Sequence, residues 1–370
     1  SLELEGEATR RGKEYFEGTS GKWNAVANYV NTIVGAGVIA LPYAIKQSGL
    51  WTGIILMFLS AYLLDRAAII LVVSGVKVKR LNYEELMAAM FGNAGLHAFC
   101  FFAFVVAFGA MCAYLIVIGD TIPEIALASG ATSTAFTDRA AVILVFAIFF
   151  ILPLAALKDL KKLSYSSFLS ILADALLICI VVFTGPAASR SVEDIDRSQV
   201  GAFIRPTLFN GLGTISFAYV SHSSSFLLYR SLKKQDVEAW TSVTDTSISI
   251  SWFMGIVLAL AGYLSFANTT QGDILNNFST EHGSASVARG FLAVTMVFTY
   301  PMEMYVARHV LDASIFQTFL GFGPMTSTRH YGITLVLWVA TLTVALSTRE
   351  LGDVLQLSGS LGSSVRKPLL

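Results

Sequence analysis

Asn31-Thr-Ile-Val-Gly-Ala-Gly-Val-Ile-Ala-Leu-Pro42 lies inside the first long apolar segment, where a membrane helix should be regular. Two glycines, a proline and an asparagine stand there instead. Hydrocarbon cannot hydrogen-bond a loosened backbone, so a broken helix survives only where protein buries it or water reaches it. Broken membrane helices are also where many solute carriers hold their cargo. The stretch therefore predicts an interrupted first span and, with it, a transport function.

Composition agrees with a membrane chain. Of 370 residues, 55% are hydrophobic and 14% charged, with mean hydropathy +0.66. A soluble domain of this length carries far more charge. The net charge is zero, so nothing points to nucleic acid. Cys100, Cys112 and Cys179 all fall in apolar segments. An odd set in hydrocarbon is a poor disulfide framework, and buried structural thiols are expected. Residues 1–22 are polar and charged, with no signal-peptide core.

Ten apolar segments follow, at 24–45, 50–76, 95–128, 139–157, 163–185, 207–229, 240–267, 285–311, 331–347 and 351–365. Basic clusters at Arg10/Arg11/Lys13/Lys22, Lys77/Lys79/Arg80, Lys158/Lys161/Lys162, Arg230/Lys233/Lys234, Arg308/Arg329 and Arg366/Lys367 all fall on one side if each segment spans. The positive-inside rule places that side, and the N-terminus, in the cytosol. The sequons Asn268-Thr-Thr270 and Asn277-Phe-Ser279 fall on the opposite side, where glycosylation occurs.

Segment six carries a second interruption, Asn210-Gly-Leu-Gly213 followed by Ser216-Phe-Ala-Tyr-Val-Ser-His-Ser-Ser-Ser225. Segments one and six open two five-helix halves. Five is odd, so the halves are inverted, and paired breaks in inverted repeats point to a central binding site. The expected organisation is a cytosolic arm at 1–22, a first repeat at 23–185, a non-cytosolic loop at 186–206, a second repeat at 207–365 and a tail at 366–370.

Asn24, Asn28, Asn31, Thr32 and Gly35 share one helical face. They make either interhelical hydrogen bonds, each worth only ~0.6 kcal/mol on average, or a polar lining that leads to the break. At the break, the N–H groups of Gly35, Ala36, Gly37 and Val38 can meet a carboxylate, and freed carbonyls such as that of Val34 can meet a cation. Thr295, Thr299 and Glu303 recur every four residues in segment eight, and hydroxyl oxygens suit a hard cation such as sodium. Pro301 frees the Val297 carbonyl, to be taken by a threonine hydroxyl or by an ion. Glu303 is a proton-coupling candidate, its alternative being an ion pair with Arg308. His222 in the second break could titrate near neutrality or be a satisfied hydrogen-bonding histidine. Asp65, Arg66 and Asp174 are read as structural; Asp65 and Arg66, adjacent on one helix, are expected to pair elsewhere in the bundle. Phe217 and Tyr219 flank the second break and could gate a pocket.

Enzyme signals are missing. Ser358-Gly-Ser-Leu-Gly-Ser-Ser364 is not a nucleophile elbow, and its small residues suit close helix packing. No phosphate loop and no Cys/His set with metal-ligand spacing occurs. The chain is therefore not expected to be an enzyme, and it needs no cofactor beyond a sodium ion.

Three stretches carry a resemblance: Asn31-x-x-x-Gly-x-Gly-x-x-x-Leu-Pro42; Ser216-Phe-Ala-Tyr-Val-Ser-His222 with Phe226-Leu-Leu-Tyr229; and Thr299-Tyr-Pro-Met-Glu303 with Ala307-Arg308. From about residue 22 to 364 the chain resembles the amino acid/auxin permease family, and within it the vacuolar and lysosomal branch. The resemblance implies an all-α membrane protein with a LeuT-like fold, inverted five-helix repeats, alternating access and an amino acid substrate. It assigns the ion site to Asn31 and Thr299. From the residues themselves, Val34 and Thr295 are expected beside them, and substrate contacts are expected on Gly35, Ala36, Gly37, Val38, Phe217, Ala218 and Ser221. It also implies an eleventh helix that this sequence does not reach. Relatives often show His-His-Asn where this chain has His222-Ser-Ser-Ser225, which bears on substrate preference. The implied location is a vacuolar or lysosomal membrane, with the plasma membrane as alternative. The rival reading is an amino-acid sensor whose N-terminal arm docks a cytosolic partner. A channel is weaker, because no ring-forming filter motif is present.

Overall fold

The computed structural model describes residues 20–157, 166–192, 194–279 and 283–362. The basic clusters at Arg10/Arg11/Lys13, Lys158/Lys161/Lys162 and Arg366/Lys367, the N-terminal arm up to residue 19 and the tail lie outside them. Among the described residues the chain is helical, with one isolated parallel bridge between Ser20 and Leu232.

The first apolar segment forms three pieces: α1 (Lys22–Ile33), α2 (Ala36–Ile39) and α3 (Leu41–Ser48). Gly49 turns the chain into α4 (Leu50–Val78) at φ 92°, a left-handed value open to glycine, and a Cβ there would lie 2.8 Å from the Phe203 carbonyl oxygen. Next comes α5 (Tyr83–Ala128), capped by the Asn82 side chain on the Glu84 N–H and bent at Gly92. That bend separates a short first section, with Glu84 and Glu85 in its first turn, from the apolar helix the sequence placed at 95–128.

Asp138 caps α6 (Arg139–Ala155) through the Ala141 N–H. This helix widens into a π turn at Ala147–Ile151 just before Pro153, which has no N–H to continue the ladder. Then follow α7 (Ser166–Ala188), α8 (Leu208–Ala218), α9 (Ser225–Ser231), α10 (Val237–Phe266), α11 (Gly283–Leu311), α12 (Ser327–Ser347) and α13 (Leu351–Gly362). A π-helical stretch, Asp312–Phe319, prolongs α11.

Six of these helices are long and apolar enough to cross a bilayer: Leu50–Val78, Tyr83–Ala128, Ser170–Ala188, Val237–Thr269, Ala285–Phe319 and Ser327–Ser347. Arg139–Ala155 and Leu208–Ala218 are shorter apolar helices. The protein is a membrane protein.

Lipid tails are as apolar as leucine, so helices in a membrane cohere by close contact. The serine- and glycine-rich α13 shows this. A Cβ on Gly359 would collide with the Gly213 carbonyl oxygen, and one on Gly109 with Ser358 Oγ. Gln356 Nε2 donates to Asn210 Oδ1 at 2.9 Å across the same contact. The small residues of α13 thus let it press against α8 and α5, as their composition suggested.

Two expectations fail here. Cys100 and Cys112 are buried thiols, but Cys179 is exposed on α7. Arg66 does bond its neighbour Asp65, and also Asp245 Oδ1 on α10 at 2.8 Å. Adjacent Cβ atoms diverge on a helix, yet an arginine side chain is long enough to fold back while reaching a second acid.

Candidate functional site

The α1 ladder closes with the Val34 N–H on the Val30 carbonyl at 2.7 Å, and the next turn begins with the Val38 N–H on the Gly35 carbonyl at 3.0 Å. Val34 (φ −87°, ψ 86°) and Gly35 (φ −126°, ψ −152°) leave helical geometry between them. The first break is therefore where the glycines predicted it. The second follows Ala218, within the predicted polar run, whereas Asn210–Gly213 stays helical inside α8. Tyr219 and Ser221 depart from helical angles, and a 3-10 turn at His222–Ser224 leads into α9.

The two breaks touch. A Cβ on Gly37 would lie 2.6 Å from Ala218 Cα and 3.2 Å from the Ala218 nitrogen, so backbone meets backbone there. Only glycine permits that approach.

Around this contact the structure gathers hydroxyls. Tyr29 Oη on α1 is 3.5 Å from Ser225 Oγ on α9, and it also approaches Ser221. Tyr219 Oη points at α10: a Cβ on Gly255 would lie 3.1 Å from it. Ser251 lies one turn before Gly255 on α10. Tyr219 Oη, Ser221 Oγ and Ser251 Oγ are buried without a well-formed hydrogen bond among the described residues. Buried polar atoms are normally satisfied. Three orphans beside two broken helices suit a polar guest.

Tyr114 adds another hydroxyl. A Cβ on Gly35 would lie 3.9 Å from Tyr114 Oη, and Tyr114 also feels the charge of Glu303. One buried tyrosine on α5 thereby connects the first break to the acid on α11. Among the described residues Glu303 forms no ion pair. Arg308, its expected partner, instead donates to the Ala155 carbonyl at 3.1 Å and to Thr334 Oγ1 at 2.7 Å.

Other candidates are placed as follows. On α1, Ala25, Val26, Tyr29, Val30 and Ile33 are buried, whereas Asn24 is exposed and Asn28, Asn31 and Thr32 are half-buried. The polar face is thus the open one. Thr295 donates to the Phe291 carbonyl at 3.0 Å and Thr299 to the Thr295 carbonyl at 2.7 Å. Both hydroxyls spend their proton on their own helix, which leaves oxygen lone pairs for a cation. Neither takes the Val297 carbonyl freed by Pro301. Phe217 and Tyr219 diverge: Phe217 packs towards Gly109 on α5, and Tyr219 faces α10. His222 is half-buried in the 3-10 turn and has a partner. Asp174 is 5% exposed, and its Oδ2 has no hydrogen-bond partner among the described residues. Tyr29 and Tyr114 escape sequence reasoning, because a lone tyrosine in an apolar run reads as core.

Residues 18–365 match the family described as transmembrane amino acid transporter protein. The chain belongs to that family. It is 32% identical over 346 residues to the putative sodium-coupled neutral amino acid transporter 11 of Rattus norvegicus, covering 93% of this chain and 75% of that one. It is 28% identical over 355 residues to vacuolar amino acid transporter 2 of Saccharomyces cerevisiae, covering 94% and 74%. Among solved structures, a Na+-coupled sialic acid symporter in a substrate-bound, outward-open state shares the fold, with TM-score 0.57, 16% identity and coverage of 90% of this chain and 74% of that one. The family and these relatives are transporters, not enzymes.

Proposed function

We propose that this membrane protein is a secondary active amino acid transporter that works by alternating access, with ten spans arranged as two inverted five-helix repeats. The observation that carries this reading is the backbone contact of Gly37 with Ala218, which brings two interrupted helices together among buried, unpaired hydroxyls. A zwitterion matches such a site. Its carboxylate meets N–H groups of Gly35, Ala36, Gly37 and Val38 at the start of a half-helix. Its ammonium meets carbonyls near Phe217 and Ala218 and the Ser221 hydroxyl.

Coupling is assigned to a sodium ion at Asn31, Val34, Thr295 and Thr299, or to a proton carried by Glu303 or His222. The name of the sodium-coupled relative supports the first alternative. Movement is assigned to α1 and α9 together. They are joined by Tyr29–Ser225 and by the bridge in which Ser20 N–H donates to the Ser231 carbonyl at 2.9 Å and Lys233 N–H to the Ser20 carbonyl at 3.0 Å. Trp240 on α10 packs with both Tyr29 and Tyr229. We place the protein in a vacuolar or lysosomal membrane with its N-terminus in the cytosol.

The test is counter-flow of labelled amino acids into proteoliposomes, with sodium and pH varied separately. Accumulation driven by one of the two gradients is expected, and Asn31→Ala with Thr299→Ala should abolish a sodium requirement. Amino acid binding without any flux would overturn transport in favour of a sensor.

A further inference from the structure

A cavity of about 700 Å³ opens at the far end of α11, away from the broken helices. Tyr305, Arg308, His309, Asp312, Thr326 and His330 are among its lining residues. Every lining residue comes from the end of α11, the start of α12 or the connection between them. None belongs to α1, α2, α8 or α9, so this is not the central site.

Its notable group is Arg308. The residue is 2% exposed, and the Ala155 carbonyl and Thr334 hydroxyl fix its Nη1, with the Tyr305 ring 6.0 Å from the guanidinium carbon. Among the described residues no carboxylate comes within ion-pair distance of it. Asp312, one turn on, is already engaged by Arg329 Nε at 2.7 Å and by Gln317 Nε2 at 2.6 Å. His309 faces Glu84 across 3.5 Å, and His330 Nε2 lies 3.1 Å from the Ala156 carbonyl. A guanidinium cannot shed its proton, and a buried charge without a counter-charge is costly. Arg308 therefore sits beside the cavity as a fixed cation in want of an anion.

The surroundings narrow the anion's class. Thr326 Oγ1 accepts the Arg329 N–H and keeps its own proton to donate. Arg308 and Thr326 line the same cavity, and a guanidinium together with a hydroxyl donor suits a phosphoryl group better than a point acceptor. The connection that walls the cavity exposes Phe319 (77%), Leu320 (47%) and Phe322 (54%). Such an apolar edge beside a cationic pocket belongs at the headgroup level of a bilayer.

We propose that this cavity binds a phosphate monoester, with Arg308 and Thr326 as its donors. The shared chemistry is that of an inositol phosphate, either free or as the headgroup of an anionic lipid.

The test uses the full chain and reads thermal stability rather than flux, so its outcome is independent of transport. Soluble inositol trisphosphate is titrated into detergent-solubilised protein. Separately, protein in phosphatidylcholine nanodiscs is compared with protein in discs that also contain a phosphatidylinositol phosphate. A saturable rise in Tm is expected in at least one arm: soluble compound alone marks a free ligand, and lipid alone marks a membrane headgroup. Arg308→Lys and Thr326→Val are each expected to weaken binding about tenfold. Thr326→Val leaves the Arg308 contacts intact and serves where the Arg308 variant folds poorly. No rise in either arm, or a rise unchanged in both variants, overturns the proposal.

Discussion

Gly37 and Ala218 meet backbone to backbone, and they do so where both helix breaks converge. Gly35, two residues earlier, is different: a Cβ there meets nothing nearer than Tyr114 Oη at 3.9 Å. The two glycines therefore separate packing from binding. Gly37→Ala is expected to overpack the junction and to cost about 1–3 kcal/mol of stability, with flux falling alongside. Gly35→Ala is expected to leave stability within about 0.5 kcal/mol of the parent, while its methyl group obstructs the substrate backbone contact and raises the KM for uptake. Thermal unfolding and concentration-dependent uptake on the two variants check this pair of outcomes. Equal effects on stability would remove the distinction.

Glu303 has no ion-pair partner among the described residues, yet Tyr114 links it electrostatically to the neighbourhood of Gly35. An ionisable group at that depth and without a counter-ion is more consistent with proton handling than with a structural pair. Glu303→Gln preserves shape and hydrogen-bonding capacity. It is expected to fold like the parent and to flatten the dependence of uptake on external pH. Asp174→Asn, on α7, which packs against α11 but whose carboxyl takes no part in that link, is expected to leave the pH profile in place. Uptake recorded across a pH series for both variants decides between them, and an unchanged profile for Glu303→Gln would return the residue to a packing role.

The first break was legible because glycine acts through the backbone, and helicity is lost at Gly35 as its sequence suggests. The second was legible only from its polar run: Gly211 and Gly213 stay helical in α8, and the chain leaves helical geometry at Tyr219 and Ser221. The small residues of α13 were legible for a similar reason: only a close neighbour explains them. Tyr114 and Tyr29 were not. Their importance comes from what they face across the bundle, and local spacing carries no record of that. The Asp65–Arg66 contact was misread because helix-face geometry fixes Cβ directions and says little about the reach of a long side chain. Cys179 was misjudged because in a bilayer an exposed face is apolar, so hydrophobicity alone cannot separate core from lipid surface.

Asp273 lies in the loop between α10 and α11, 2% exposed, with its carboxylate capping the Leu275 N–H at 2.9 Å. Burial pushes its pKa up to about 7, against the partial relief of that backbone bond. In the unfolded chain an aspartate titrates near ~3.9. Between those values the folded protein holds a proton that the unfolded chain has lost, so stability falls as pH rises. The contribution is complete below about pH 4 and gone once pH passes about 7, with a slope of at most ~1.4 kcal/mol per pH unit. Asp273→Asn keeps the capping oxygen and is expected to remove the slope. Tm measured from pH 4 to pH 8 on both proteins checks this, and parallel curves would exclude Asp273 as the source.

Asn268 and Asn277 carry the two sequons of that same loop, but the fold treats them differently. Asn268 is exposed, although its amide bridges to Asp194 and Asp196. Asn277 is 9% exposed, and both its polar atoms are engaged: Nδ2 donates to the Thr269 carbonyl at 2.9 Å and Oδ1 accepts the Gln271 N–H at 2.9 Å. A glycan on Asn277 would break both bonds and lever the loop off α10. A glycan on Asn268 would give up two surface bonds, each worth about 1 kcal/mol at most in that setting. In a secretory-pathway host, Asn268→Gln is therefore expected to abolish the endoglycosidase-sensitive mobility shift, and Asn277→Gln to leave it unchanged. The same gel reads orientation, since modification at Asn268 requires the loop to face away from the cytosol. An unmodified parent protein would leave the inside assignment resting on charge alone, and a shift carried by Asn277 would contradict the packing of this loop.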